Sequence, residues 1–94
     1  MSDSMQRIEA MREKLAKYTV KAIEQDSHHK SCEGMVTVTF PGVFQEAYTV
    51  SVYSYVLGPS RCHDYFGKTL DMALEKAEKA VDQWCAAFDA GVSL

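Results

Sequence analysis

His28, His29 and Cys32 lie close together in one polar stretch, and Cys62 and His63 are adjacent in another. Histidine nitrogen and cysteine sulfur are preferred zinc ligands, and two loops with two ligands each could close a tetrahedral site. The spacing weakens that chemistry. Neighbouring residues on a strand point to opposite faces, so Cys62 and His63 would diverge instead of converging on one ion. The same residues could supply a cysteine nucleophile and a histidine base. That chemistry needs a depressed thiol pKa and an orienting third group, and no local signature of such enzymes surrounds Cys32, Cys62 or Cys85. Glu46 and Asp64 could form a carboxylate pair, but their context is that of solvated loop charges. The five glycines fall one per turn, not in a phosphate-cradling loop. The chain is therefore read as non-enzymatic, with no catalytic residue, no metal and no cofactor.

Composition points the same way. The 94 residues are 47% hydrophobic and 24% charged, which suits one globular domain and excludes wholesale disorder or a fibrous repeat. Three cysteines without a Cys-x-x-Cys pair do not make an even disulfide framework, so reduced thiols and a cytoplasmic location are expected. The start of the chain carries no basic segment followed by an apolar run, so no signal peptide is expected. No apolar stretch is long enough for a membrane span.

The elements that would position these side chains follow from periodicity. Over residues 3–25, Ile8, Met11, Leu15, Tyr18 and Ala22 recur at three- and four-residue steps, the stripe of an amphipathic helix. Asp3 followed by Gln6 resembles a capping box. The period then changes to two. Over 35–40, Val36, Val38 and Phe40 share one face, with Thr37 and Thr39 on the other. Pro41 and Gly42 signal a turn. A second strand is expected over 47–57, with Tyr48, Val50, Val52 and Val56 on one face and Thr49, Ser51, Tyr53 and Tyr55 on the other. A third is expected over 61–66. The last segment, 70–90, is a helix with Thr69 as N-cap, Gly91 past its end, and Leu70, Leu74, Ala77, Val81, Trp84 and Phe88 on one stripe. Trp84 and Phe88 are expected to be its largest core side chains, and Glu75 and Lys79 a supporting pair one turn apart.

One apolar face per element gives a single two-layer α+β domain over 1–94: helix, three antiparallel strands, helix, with both helices on one face of the sheet. The other face is left to water or to a partner. Tyr53 and Tyr55 stand there, and tyrosine covers apolar area at low entropy cost while keeping a polar tip. The same two residues could instead only stabilise the sheet as a cross-strand pair.

The order helix, three strands, helix resembles the double-stranded-RNA-binding domain. The likeness runs through Tyr48-Thr49-Val50-Ser51-Val52-Tyr53, then Gly67-Lys68-Thr69-Leu70 leading into the run from Ala73 to Ala80. It covers about half the chain and is a likeness of layout. That family grips phosphates with basic residues opening its last helix, whereas here Lys68 is followed by Asp71. The short, acidic, single α+β unit also resembles the small accessory proteins of phages and mobile elements, anti-CRISPR inhibitors among them. That resemblance implies occlusion of a site on a larger partner.

Charge location sharpens the expectation. The net charge is −3, divided as +1 over residues 1–30 and −4 over 31–94. The leading expectation is a protein-binding module that inhibits or modulates a host protein or complex, with Tyr53 and Tyr55 as contacts. Asp71, Glu75, Glu78 and Asp82 are its expected steering charges. A homodimer through the sheet face is one form of this. Nucleic-acid binding is the alternative, and no membrane partner is expected.

Overall fold

A computed structural model describes residues 2–25, 35–43, 45–54 and 62–91. His28, His29, Cys32, Tyr55 and Val56 lie outside the described residues, as does the side chain of Ala22. The elements are α1 (Ser2–Gln25), β1 (Met35–Thr39), β2 (Tyr48–Tyr53), β3 (Cys62–Gly67) and α2 (Leu70–Asp89). The strands form one antiparallel sheet in the order β1-β2-β3. This is the expected α+β architecture.

The apolar stripes explain why the layers close. Met11, Leu15 and Tyr18 of α1, Val36, Val50 and Val52 of the sheet, and Ala73, Leu74, Ala77, Val81, Trp84 and Cys85 of α2 form one buried cluster. Both helices therefore cover the same face of the sheet. Burial of the larger side chains among them, such as Leu15, Leu74 and Val50, contributes roughly 1.5–3 kcal/mol each, the main term holding the layers together. Thr19, also buried, donates its hydroxyl to the Leu15 carbonyl at 2.8 Å, which removes the cost of hiding it.

Local signals set the ends of α2. The Thr69 hydroxyl accepts from the Met72 N–H at 3.2 Å. At the other end Gly91 takes φ +72, a left-handed conformation that glycine adopts without Cβ strain, and its N–H donates to the Phe88 carbonyl at 3.1 Å. α1 starts at Ser2, so Asp3 lies inside its first turn, where a carboxylate complements the helix dipole, and not at a cap.

The strand ends and two aromatic residues differ from expectation. β1 ends at Thr39, because Pro41 follows and Gly42 donates to the Gln45 carbonyl at 2.7 Å, turning the chain away from the ladder. Phe40 is thereby left 63% exposed, edge-on to Tyr48 at 5.8 Å, and is not a core residue. β2 closes at Tyr53, and β3 extends one residue further than expected, to Gly67. Phe88 lies at the core rim, its ring edge-on to Tyr18 at 5.6 Å.

Candidate functional site

The antiparallel register places the open face of the sheet row by row. Met35, Tyr53 and Cys62 are neighbours across the three strands; Thr37, Ser51 and Asp64 follow; Thr39, Thr49 and Phe66 make the third row. The residues between them, Val36, Val38, Val50, Val52, His63 and Tyr65, alternate to the helix side. The face thus carries Met35 and Tyr53 at one end, Phe66 among threonines at the other, and a polar row between.

Its interior is hydrogen-bonded. The Ser51 hydroxyl donates to Asp64 Oδ1 at 2.6 Å, and the Cys62 thiol donates to the same oxygen at 3.5 Å. Gln45 donates its amide to the Thr49 hydroxyl and to the Ala47 carbonyl. Thr49 and Ser51 are buried on this face, each with its hydroxyl in one of these hydrogen bonds. The large side chains stay accessible, with Met35 at 55%, Tyr53 at 38% and Phe66 at 50%. Hydrogen bonding to Cys62, its neighbour across the strands, holds the Tyr53 phenol above its usual pKa.

The sequence-selected residues do not form one surface. Tyr53 stands on the open face as expected, whereas the acidic residues belong to α2, in the layer on the other face. Arg7 of α1 donates to both Glu78 oxygens, with 2.6 Å the shortest distance, and to Asp71 at 3.1 Å. Lys14 donates to Asp82 at 2.6 Å, and Glu75 pairs with Lys79 at 3.4 Å. Glu78 and Asp82 accordingly raise the pKa values of Arg7 and Lys14 by hydrogen bonding. The partners ascend together along both helices, so α1 and α2 run parallel with a polar seam between them. An open hollow on that seam is lined by Asp3, Gln6, Arg7, Ala10, Asp71 and Glu78, and its guanidinium is bonded to two carboxylates.

The seam ends where the Tyr18 hydroxyl donates to Asp89 at 2.5 Å. That bond, then burial, push the Tyr18 phenol from 10.0 up to about 12. Between those values the unfolded chain loses the proton and the native chain keeps it. The stability from this group is therefore fully present below pH 10 and is lost as pH rises to about 12. Tyr18→Phe should remove both that alkaline loss and the step near pH 12 of the ultraviolet phenolate titration. An unchanged alkaline limb would show that the bond is not its cause.

Cys62 and His63 diverge as strand geometry requires. Cys62 is exposed on the open face, while His63 turns inward to Trp84 with ring centroids 5.2 Å apart. Among the described residues no group of three or more His, Cys, Asp or Glu is arranged to hold a metal ion. Cys85 is buried, and burial pushes its thiol pKa up, away from the reactive thiolate. Sequence reasoning missed Met35 and Phe66: alternation already sets Met35 beside Thr37, while the cross-strand register is what puts it next to Tyr53 and Phe66 on the same face. No helix among the described residues is long and apolar enough to cross a membrane. No protein-family model, curated protein or solved structure matches the chain.

Proposed function

We propose that the chain is a non-enzymatic protein-binding module whose open sheet face docks a larger partner in the cytoplasm. It acts in the manner of phage and mobile-element accessory proteins, anti-CRISPR inhibitors among them, by occluding or modulating a host protein complex. The observation that carries this reading is the accessibility of Met35, Tyr53 and Phe66 together on a face that neither helix covers. Large side chains of this kind, set in a polar frame, are the usual anchors of protein interfaces.

Pull-down from host-cell lysate with the wild-type chain and a Tyr53→Ala, Phe66→Ala variant tests it. Loss of an anchor costs about 2 kcal/mol of binding, roughly thirtyfold in affinity, so the double variant should lose its partner. A variant that folds normally and keeps every captured protein would end this reading.

The second reading, a nucleic-acid-binding domain, is favoured by the element order, which has the layout of double-stranded-RNA-binding domains. Against it, Lys68 stands beside an α2 start whose Asp71 is bonded to Arg7. Salt-sensitive retention of duplex RNA in a gel shift is its test.

A further inference from the structure

We infer that the partner meets the open face with a protein segment carrying a lysine or arginine between apolar side chains, the basic group facing Asp64. The inference rests on the docking reading above and names the chemistry of the docked segment.

Asp64 occupies the middle row of the face. It lies two residues from Cys62 and two from Phe66, roughly 6–7 Å along β3 in each direction. Tyr53 and Phe66 are large accessible side chains at the two ends of the face, four residues apart along the strands, or roughly 13 Å. A partner touching both ends must pass over the carboxylate between them. Hydrogen bonds from Ser51 and Cys62 hold one of its oxygens in place, while the residue remains exposed. An apolar partner would strip water from this charge and return nothing, and an acidic one would repel it. A cation restores the lost solvation and adds a charge-assisted hydrogen bond.

Among the described residues, the protein's own cations do not serve this purpose. Among the described residues of the face there is no lysine or arginine. Lys76 of α2, near the third row, donates to the Phe66 backbone carbonyl at 2.7 Å, while Arg7 and Lys14 are paired in the helix seam. A second copy stacked face to face would bring a second Asp64 and, among the described residues of the face, no cation. A phosphate backbone would bring the wrong sign.

The test is selection of a random-peptide display library on the immobilised full chain, followed by affinity measurement of the enriched peptides. They should carry Lys or Arg between apolar residues and weaken as salt is raised. They should bind wild type best, Asp64→Asn less well and Asp64→Lys worst, the last by roughly tenfold or more. Asp64→Asn keeps the shape of the hydrogen-bonded side chain, so it reports on charge even if Asp64→Lys folds poorly. Peptides that lose binding to Tyr53→Ala, Phe66→Ala but not to Asp64→Lys would overturn the cation and leave the docking face standing. Peptides indifferent to every variant, or a selection that enriches nothing, would overturn both. Light scattering that shows a dimer split by the double variant would assign the face to a second copy. Salt-sensitive RNA retention lost in the same variant would assign it to nucleic acid.

Discussion

Truncating Trp84 to alanine will lower the free energy of unfolding by about 3–5 kcal/mol, the range found for buried aromatic residues. Trp84 is 5% exposed on the inner stripe of α2 and joins that helix to β3 through His63. Its removal leaves a void lined from two layers, which the packed neighbours refill only in part. A domain of this size has roughly 5–10 kcal/mol in total, so the variant should unfold with about half that margin or less. Urea denaturation should show the midpoint falling with the slope unchanged, since the surface exposed on unfolding is nearly the same. Trp84→Phe, which keeps most of the ring, should recover much of the loss. A midpoint equal to wild type would mean that Trp84 does not face the sheet, and the stripe that places α2 would fail with it.

That stripe is the part of the fold most legible from sequence, for a physical reason. Leu74, Ala77, Val81 and Trp84 are spaced by the helix itself, and Thr69 and Gly91 mark its ends by chemistry confined to one turn. Alternation in β2 is equally local, and Val50 and Val52 are fully buried. What sequence could not show depends on partners far along the chain. The acidic run of α2 reads as steering charge until Arg7 and Lys14, 64 to 71 residues away, are seen to take Asp71, Glu78 and Asp82. The third strand has no face assigned by its sequence until the pairing of Phe66 with Thr49 sends Phe66 to the open face. Tyr53 was identifiable because strand period alone separates it from Val50 and Val52. Its row neighbour Met35 and the face of Phe66 were not, because cross-strand register has no signature within any one segment. The candidate surface was therefore half legible: its face followed from alternation, its membership from pairing.

Gly67→Ala should destabilise the protein by about 1–3 kcal/mol, although the same exchange at an unhindered site commonly stabilises by about 0.4–1 kcal/mol through the unfolded chain. Sequence suggests only a turn glycine here, but the structure gives it a steric role. Gly67 ends β3 opposite Tyr48, buried beneath the first turn of α2. A methyl group at this position would come within 2.6 Å of the Ala73 nitrogen and 2.8 Å of the Met72 Cβ. The obstruction includes helix backbone, not only a side chain that can swing aside. Relieving it means moving the turn that holds the Ala73 N–H on the Thr69 carbonyl at 3.2 Å and the Met72 N–H on the Thr69 hydroxyl. Loss of that cap would add about 1 kcal/mol. Gly42→Ala is the matched control, since nothing lies within 4 Å of its added Cβ. Chemical denaturation should give opposite signs, with Gly42→Ala neutral or slightly stabilised and Gly67→Ala destabilised. Equal stabilities would show that β3 and α2 do not approach so closely. The displaced turn should also carry Lys76 away from the Phe66 carbonyl, so Gly67→Ala should loosen the third row of the open face without altering any residue on it.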